Sequence, residues 1–514
     1  MRQLRTIAGL RAYRQQQLPN CNLGLVPTMG ALHAGHFSLI RAARQENDVV
    51  VVSIFVNPSQ FGPREDLSAY PRPLAKDLHH CAELGVDAVF TPTPAEMGMA
   101  HIHAESTVQT TSVLPPKMLT TGLCGINRPG HFTGVATIVT KLLNLVQPDR
   151  AYFGQKDAQQ VVVLRRLVAD LCIPVEIRTC PIAREDSGLA YSSRNQYLSP
   201  EQRETATVLQ RSLKAAQTAF VQGERQRDRL LAPVHQVLAT ETSVQLDYLD
   251  LVDPQSLSPL EQVDEQALLA IAAWVGPSRL LDNVILQQRR PTIAIDGPAG
   301  VGKSTVTRAL AQQLQLTYLD TGAMYRAITW QAQQQELELE DEVAIAEVAA
   351  TAQIQFIQPE HKTSQQVWID GQDVTKAIRS PEVTQQVSTV AKHPAVRSQL
   401  VKHQQAWGRK GGIIAEGRDI GTVVFPEAEV KVFLTASPEE RARRRWQDLP
   451  SNVQATLDLA TLEQQIKERD RQDSSRATAP LRKAADAIEI QTDNLTIEQV
   501  IQHIEQQYHQ VLNS

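Results

Sequence analysis

The sequence predicts an α/β protein of two domains, and three observations support this fold class. At 514 residues, the chain exceeds the size of a single hydrophobic core. Continuous apolar runs such as 23–27 and 49–56 alternate with segments of helical apolar spacing, the pattern of buried parallel strands joined by helices. A third run, 292–295, opens a phosphate-binding motif in the middle of the chain, so a separate domain must begin there.

Composition limits the classes of function. Hydrophobic content of 42%, charged content of 21% and a net charge of -5 describe a globular protein with no general attraction to nucleic acid or anionic membranes. The five cysteines, an odd number without C-x-x-C spacing, predict a buried, reduced set and no zinc site. No signal peptide is visible, and the apolar stretches are too short to span a bilayer. The sequence therefore predicts a cytoplasmic protein.

Two histidines lie where the first predicted strand meets a helix. The run 23–27 leads into Thr28-Met-Gly-Ala-Leu-His-Ala-Gly-His36, and helical spacing begins at Phe37. Imidazoles at a helix N-terminus can donate hydrogen bonds to phosphate oxygens, and Gly35 would let a nucleotide approach the backbone. By itself, this His-x-Gly-His pattern is equally consistent with metal ligation or simple helix capping.

Polar motifs follow several other predicted strands of this half. Asn57 and Gln60 come after the run 49–56, at the end of a parallel strand where open α/β sheets bind ligands. Further motifs lie at 128–135, 151–157, 182–189 and 192–195. Residues 200–286 predict a smaller α+β cap, with a helix over 205–220 and strands over 244–251 and 268–274.

Together these motifs resemble the pantothenate synthetase (pantoate–β-alanine ligase) family across residues 1–286. The resemblance implies a Rossmann-like nucleotidyltransferase domain over 1–199 with the cap over 200–286. It implies adenylation of pantoate by ATP with release of diphosphate, followed by displacement of AMP by β-alanine. It also implies a homodimer formed through this domain.

The resemblance assigns roles to individual residues. His36 would be the proton donor, with His33 as its partner and Lys156 and Arg194 as further catalytic groups. The ATP site would comprise Met29, Gly30, Ala31, Leu32, His33, Ala34, Gly35, His36, Gly154, Gln155, Lys156, Asp157, Ala183, Tyr191, Ser192, Ser193 and Arg194. Gln60, Gln160 and Asn57 would bind pantoate or β-alanine, and Asp77 and Asp157 would contribute to a Mg²⁺ shell. Gln155 departs from the family pattern, in which many members carry glutamate.

The implied chemistry needs cations and hydrogen-bond donors but no activated nucleophile. Pantoate is already a carboxylate and attacks the α-phosphorus itself, so the protein must position it and stabilise charge on the phosphate oxygens. His33, His36, Lys156 and Arg194 suit that task. Each of these residues alone fits a structural role equally well, whereas the ordered set favours function.

A phosphate-binding loop follows a predicted linker over 287–291. Gly297, Gly302, Lys303 and Ser304 fit G-x-x-x-x-G-K-[ST] between an apolar strand and a helical segment. Lys303 would neutralise the β- and γ-phosphates of ATP, and the Ser304 hydroxyl would hold Mg²⁺. The predicted ATP-binding residues are Gly297, Pro298, Ala299, Gly300, Val301, Gly302, Lys303, Ser304 and Thr305.

Later motifs make this half, 292–514, resemble the cytidylate kinase family, a P-loop nucleoside monophosphate kinase fold. They are Asp320-Thr-Gly-Ala-Met-Tyr-Arg326 and Glu416-Gly-Arg-Asp419, followed by an arginine-rich helical region that could also be a solvated face. The resemblance implies phosphorylation of CMP or dCMP by ATP, and an acceptor-binding insert over 335–395 with a hairpin at 367–371. The implied CMP-binding residues are Thr321, Tyr325, Arg326, Ser388, Arg397, Arg418, Asp419, Arg469, Asp473 and Arg476.

Two alternatives to a bifunctional enzyme remain open from the sequence. The first keeps the kinase and makes residues 1–286 a catalytically silent nucleotide-sensing domain. The second is a nucleotide- or RNA-binding scaffold, against which the overall acidity and the lack of aromatic–basic clusters both count.

Overall fold

A computed structural model of the chain describes residues 1–17, 21–61, 67, 70–99, 111–357, 365–408, 411–447, 458–474 and 480–512. The chain forms two compact units, Met1–Gln288 and Arg289–Ser514. Among the described residues, no helix combines the length and the apolar composition that crossing a bilayer requires.

A six-stranded parallel sheet forms the centre of the first unit. Its strands are β1 (Arg2–Leu4), β2 (Leu23–Thr28), β3 (Val49–Ile54), β4 (Ala88–Phe90), β5 (Arg150–Gly154) and β6 (Glu176–Cys180), in the order β1-β4-β3-β2-β5-β6. The associated helices are α1 (Ile7–Gln15), α2 (Ala34–Glu46), α3 (Leu74–Glu83), α4 (Cys124–Asn127), α5 (His131–Val146) and α6 (Ala158–Asp170). The strand order reverses between β2 and β5, so a crevice opens at their carboxyl ends, the usual ligand position in such sheets.

The continuous apolar runs form strands because both faces of the sheet are covered. Val51 packs in one core with α5, whereas Val50 and Val52 pack in the opposite core with α2. Successive side chains of a strand point to opposite faces, so a strand buried on both faces has no polar positions. The predicted α/β class is confirmed for this unit.

The cap combines three helices with a three-stranded antiparallel sheet. Its elements are α7 (Pro200–Thr205), α8 (Val208–Val221), α9 (Arg227–Leu238), β7 (Val244–Val252), β8 (Gln266–Val275) and β9 (Ser278–Gln287). The predicted single helix over 205–220 is wrong at its start, because α7 ends at Thr205 and α8 begins at Val208. The Thr207 hydroxyl donates to the Glu204 carbonyl at 2.7 Å and thereby closes the last turn of α7. Strand β9 extends to Gln287, which pairs with Gln266.

The second unit contains a five-stranded parallel sheet and a smaller antiparallel one. The strands are β10 (Ile293–Asp296), β11 (Thr317–Asp320), β12 (Ile354–Ile357), β13 (Gln366–Ile369), β14 (Gln372–Asp373), β15 (Ile413–Gly417), β16 (Val430–Thr435) and β17 (Ile488–Gln491). The described helices are α10 (Lys303–Leu314), α11 (Thr321–Gln334), α12 (Glu342–Thr351), α13 (Pro381–Val390), α14 (Pro394–Gly408), α15 (Pro438–Gln447), α16 (Leu459–Ser474) and α17 (Ile497–Leu512). The parallel order is β11-β15-β10-β16-β17, which places β10 at the centre of the sheet.

The antiparallel sheet β12-β13-β14 contains the predicted hairpin. Asp370 and Gly371 connect β13 to β14 with φ angles of 48° and 80°, the two positive values that a two-residue type I′ turn requires. The hairpin prediction is therefore confirmed.

The cysteines form no disulfide in the described structure. Cys81, Cys124 and Cys180 are buried, as predicted, but Cys172 is exposed and Cys21 is intermediate. Cys172 follows the end of α6 with a φ of 49°, on a connection that the core does not cover.

Two candidate active sites

A cavity of about 200 Å³ opens at the carboxyl edge of the first parallel sheet. Eleven of the predicted residues line it: Met29, His33, His36, Asn57, Gln60, Lys156, Asp157, Gln160, Ser192, Ser193 and Arg194. The other predicted residues of this site, Gly30, Ala31, Leu32, Ala34, Gly35, Asp77, Gly154, Gln155, Ala183 and Tyr191, lie outside the lining. Residues predicted from four separate sequence segments are thus brought to one cavity.

The two histidines cap helix α2 reciprocally. His33 Nδ1 accepts the Gly35 N–H at 3.2 Å, and His36 Nδ1 accepts the His33 N–H at 3.4 Å. Because each Nδ1 acts as an acceptor, each neutral ring carries its proton on Nε2. The capping alternative is therefore correct, and it leaves one N–H donor on each cavity-lining ring for a ligand.

Both imidazoles are neutral at pH 7 in this arrangement. Burial lowers the pKa of His33 to about 4, and the nearby Lys156 charge adds to that effect. Burial, His33 and Lys156 lower the pKa of His36 well below its ordinary value. His36 is thus a hydrogen-bond donor in the ligand-free site, and its predicted role as a proton donor requires a bound anion that raises its pKa.

The lowered pKa of His33 predicts a specific loss of stability on acidification. Between pH 6.5 and about 4 the unfolded chain binds a proton at this residue that the folded chain does not, so stability falls as the pH falls. His33→Asn keeps a capping acceptor but no titrating ring. We expect the melting temperature of the wild type to drop more steeply than that of the variant from pH 7 to 4.5. If the melting temperatures of the two proteins fell equally between pH 7 and 4.5, the lowered pKa of His33 would be contradicted.

Asp77 braces the loop between β2 and α2. Its Oδ2 accepts the Ala31 N–H at 2.9 Å and its Oδ1 accepts the Leu32 N–H at 2.8 Å, and the side chain is buried. These bonds stabilise the positive φ of Ala31, 52°, which is rare for a residue with a side chain. The structure therefore gives Asp77 a bracing role outside the cavity lining, and its Mg²⁺ role stays a prediction, whereas Asp157 is exposed and lines the cavity.

The predicted substrate amides fall into two kinds. The Asn57 amide donates to the Gly134 carbonyl at 3.1 Å and accepts from Ser59, so it holds the turn after β3 against α5. Gln60 and Gln160 line the cavity, and their side chains make no hydrogen bond to any described residue. These two glutamines, rather than Asn57, offer unused donors and acceptors to a ligand.

Several lining residues lack an assignment from the sequence. Arg128, His131, Tyr70 and Phe61 are polar or aromatic, and Phe55, Val135, Ile138, Val139, Leu142 and Phe153 form an apolar wall. His131 Nδ1 donates to the Gln60 carbonyl at 3.0 Å while its Nε2 accepts from Arg128 at 3.0 Å. The sequence motif at 128–135 includes this turn, but the motif contains no signal that the turn would lie against Gln60.

The cap holds the turn at 155–157, here called the Lys156 loop, through one buried side chain. Asn283 of β9 donates to the Gln155 and Lys156 carbonyls at 2.9 and 3.1 Å and accepts from the Gln155 amide at 3.2 Å. Ser278 of the same strand donates to the Arg194 carbonyl at 3.2 Å. The sequence showed no chemistry in the cap, and the one available signal was a polar pair, Asp282-Asn283, within an apolar strand.

We expect Asn283→Ala to raise the KM for ATP in any reaction at this site. The substitution leaves two partly buried carbonyls and one amide without partners, at a cost of about 1–3 kcal/mol, so the Lys156 loop loses its fixed position. Asn47→Ala is the matched control, since Asn47 is buried and hydrogen-bonded to Tyr152 but lies outside the cavity. Steady-state kinetics and melting temperatures of both variants separate positioning from general destabilisation. An equal KM change in both variants would contradict the assignment.

The backbone around the predicted ATP-site residues 191–194 is also fixed. The Ala183 carbonyl accepts the Tyr191 N–H at 3.0 Å, and the Tyr191 ring stacks on His33 with 6.3 Å between centroids. Ser192 Oγ accepts the Arg194 N–H at 3.3 Å. The Arg194 side chain makes no hydrogen bond to the described residues and lines the cavity, so its guanidinium is available to an anion.

In the second unit, the phosphate-binding loop has the backbone that its glycines predict. Gly297 has a φ of 149°, and a Cβ there would lie 2.2 Å from the Leu434 carbonyl oxygen. Gly302, the N-cap residue of α10, has a φ of 89°. Lys303 is buried, and its Nζ donates to the Gly297 and Pro298 carbonyls at 2.8 and 2.7 Å. One of its three donors therefore remains for a phosphate oxygen.

The donor set beside Lys303 fits Mg²⁺. Ser304 Oγ donates to Glu416 Oε2 at 2.9 Å, and the Tyr318 hydroxyl donates to the other oxygen of Glu416. A hydroxyl and a carboxylate are the oxygen ligands that Mg²⁺ accepts, and it usually completes its shell with water and substrate phosphates. The described part of the chain contains no cluster of three or more His, Cys, Asp or Glu that could hold a metal.

A cavity of about 1050 Å³ joins this loop to the predicted acceptor residues. Its lining includes residues 299–305 together with Thr321, Tyr325, Arg326, Ser388, Arg397, Arg418, Asp419, Arg469 and Asp473. Gly297 and Pro298 lie outside the lining, and Arg476 lies outside the described residues. The remaining predicted acceptor residues thus share one cavity.

Carboxylates hold the arginines of this cavity. Arg397 donates to Asp419, Arg418 Nε donates to Asp473 Oδ2 at 3.0 Å, and Arg326 pairs with Asp320 at 3.1 Å. Both members of the Arg397–Asp419 pair are buried. The sequence identified five of these six residues as acceptor-binding and showed no pairing among them. Two of the pairs, Arg397–Asp419 and Arg418–Asp473, join separate segments of the chain, whereas Arg326 and Asp320 belong to one motif.

Comparison with known proteins finds a family match for each unit. The profile of the family Pantoate-beta-alanine ligase matches residues 2–285, and that of Cytidylate kinase matches residues 293–510. The bifunctional pantoate ligase/cytidylate kinase of Nostoc sp. is 53% identical over 100% of both chains. That of Thermosynechococcus vestitus is 56% identical over 98% of this chain and 97% of its own. A crystal structure of pantothenate synthetase from Thermus thermophilus is 45% identical with a TM-score of 0.51, covering 55% of this chain and 99% of its own.

Proposed function

The chain belongs to the bifunctional pantoate ligase/cytidylate kinase family, and from this premise we propose that each unit catalyses one ATP-dependent reaction. The first unit condenses pantoate with β-alanine, and the second phosphorylates CMP or dCMP. The resemblance in the sequence motifs is confirmed by these matches, and the main hypothesis is favoured over a silent first domain.

The first-unit cavity carries the ligase proposal because it combines an apolar wall, two unused amides and several donors to anions. The wall from Phe55 to Phe153 suits the two methyl groups of pantoate, and Gln60 and Gln160 suit its hydroxyls and carboxylate. His33, His36, Lys156 and Arg194 would contact the ATP phosphates. The presence of all these groups in one cavity is the observation on which the proposal rests.

The ligase reaction proceeds in two steps. A pantoate carboxylate oxygen attacks the α-phosphorus of ATP, the bond to the β-phosphate oxygen breaks, and diphosphate leaves with pantoyl adenylate remaining. The amine of β-alanine then attacks the acyl carbon, AMP leaves with the bonding pair, and the nitrogen loses a proton. The Nε2–H donors and cations stabilise negative charge on the phosphate oxygens at both steps.

In the second unit, a phosphate oxygen of CMP attacks the γ-phosphorus of ATP, and ADP leaves. Lys303, Arg326 and Arg418 would hold the phosphates in line, so no general base is needed. The Ser304 hydroxyl would hold Mg²⁺, which would supply further neutralisation of phosphate charge. The Arg397–Asp419 pair offers donors to cytosine O2 and N3 and an acceptor to its amino group.

The remaining expectations extend this proposal. We propose that Mg²⁺ serves both reactions and that the protein is a cytoplasmic homodimer formed through its first unit. Its partners are its small-molecule substrates, without nucleic acid or membrane.

Nucleotide product analysis of the purified full chain tests the proposal. With ATP and Mg²⁺, pantoate plus β-alanine should yield AMP and diphosphate, whereas CMP should yield ADP and CDP. Formation of ADP and CDP alone would support the silent-domain alternative. Formation of neither pair, with steeply salt-dependent RNA binding, would support the scaffold alternative.

A further inference from the structure

A second cavity of about 560 Å³ opens beside the acceptor site of the kinase unit. Arg308 of α10, Tyr318 of β11, Arg379 and Thr384 line it. It meets the acceptor site at residues common to both linings, among them Ser304 and Arg326. Neither Arg308 nor Arg379 has a part in the proposed transfer of phosphate.

The charge of this lining is strongly positive. It contains four arginines, Arg308, Arg326, Arg379 and Arg469, against a single carboxylate, Asp320, which pairs with Arg326 at 3.1 Å. Arg308 and Arg379 are exposed to solvent and form no hydrogen bond or ion pair with any described residue. Arg397 and Arg418 of the substrate cavity are each paired with a carboxylate, whereas the solvated guanidiniums of Arg308 and Arg379 can bind an anion without breaking an ion pair.

The rest of the wall is ordered by hydrogen bonds. The Tyr318 hydroxyl donates to Glu416, and the Gln365 amide donates to the Tyr318 carbonyl at 2.7 Å. Glu416 also holds Ser304, so this wall is continuous with the phosphate-binding loop. An ordered wall with unpaired guanidiniums suits an oxyanion, because the planar fork of arginine binds phosphate through two parallel hydrogen bonds.

We propose that this cavity is an additional phosphate-binding subsite, separate from the donor loop and from the acceptor phosphate. It takes a phosphate or diphosphate group through Arg308 and Arg379. That group could arrive as free diphosphate, or as the terminal phosphates of cytidine triphosphate whose first phosphate lies at Arg326. An occupant would compete with CMP, because the two cavities share Arg326. The inference rests on the proposed kinase function for the position of the acceptor.

The test compares two double variants of the full chain. Arg308→Gln with Arg379→Gln removes both unpaired cations from the cavity. Lys376→Gln with Lys402→Gln removes the same charge at exposed positions outside it and serves as the control. CDP formation is measured at saturating ATP and constant free Mg²⁺, with varied CMP, against either diphosphate or cytidine triphosphate.

We expect competitive inhibition against CMP, with an inhibition constant that rises about tenfold or more in the cavity variant, because charge-assisted hydrogen bonds are lost. The control variant and the KM for CMP should stay close to the wild type. If the inhibition constant rises for cytidine triphosphate alone, the subsite extends the acceptor site. If it rises for both inhibitors, the subsite also accepts free diphosphate. Unchanged constants, or equal changes in the control, would overturn the proposal. Absence of CDP formation by the wild type would instead reject the kinase function.

Discussion

Lys303→Ala is expected to abolish CMP phosphorylation and to leave pantothenate formation unchanged. The ammonium is the buried cation of the phosphate-binding loop, and it neutralises charge on the transferring phosphoryl group. Loss of such a preorganised group costs about two to three orders of magnitude in kcat. Rates of CDP and AMP formation, measured on one preparation, test both halves of the prediction.

The stability of the Lys303 variant needs its own control. Removal of the ammonium leaves the Gly297 and Pro298 carbonyls without their side-chain donor, so the second unit could lose stability as well as activity. Lys402→Ala removes an exposed lysine of the same unit and should change neither activity. If the Lys303 variant retained its melting temperature yet lost both activities, the assignment of one reaction to each unit would be wrong.

The phosphate-binding loop shows what a sequence can predict about a site. Its geometry is local: the positive φ of Gly297 and Gly302 and the helix that begins at Lys303 all follow from consecutive residues. The same holds for the hairpin at Asp370 and Gly371, whose turn chemistry is contained in two residues. Local constraints of this kind need no knowledge of the rest of the fold.

The parts that escaped prediction depend on contacts between distant segments. Asn283 braces the Lys156 loop across more than a hundred residues of sequence, and an asparagine in a strand carries no mark of such a partner. The family resemblance assigns Asp77 to a Mg²⁺ shell, and only the fold shows the two backbone N–H groups from which its carboxylate accepts hydrogen bonds. In both cases the residue type indicated polarity, while its partner determined its role.

The roles of His33 and His36 depend both on local sequence and on contacts that only the fold creates. Their spacing predicted a position at the start of a helix, but the sequence left capping and ligand binding as alternatives. The structure shows that each ring uses Nδ1 for the backbone and carries its proton on Nε2 at the cavity. His36→Ala therefore removes both a cap and a donor to the phosphates.

We expect His36→Ala to lower pantothenate formation about a hundredfold or more, with CMP phosphorylation unchanged, because a preorganised donor to the developing charge is lost. Pantoate-dependent exchange of labelled diphosphate into ATP isolates the adenylation step and should fall in parallel. His79→Ala is the matched control, since His79 is exposed on α3 of the same unit. Exchange at the wild-type rate in the His36 variant would contradict a role in adenylation. The capping contribution is measured separately as the change in melting temperature, so a loss of exchange without a matching loss of stability assigns the effect to the Nε2 donor.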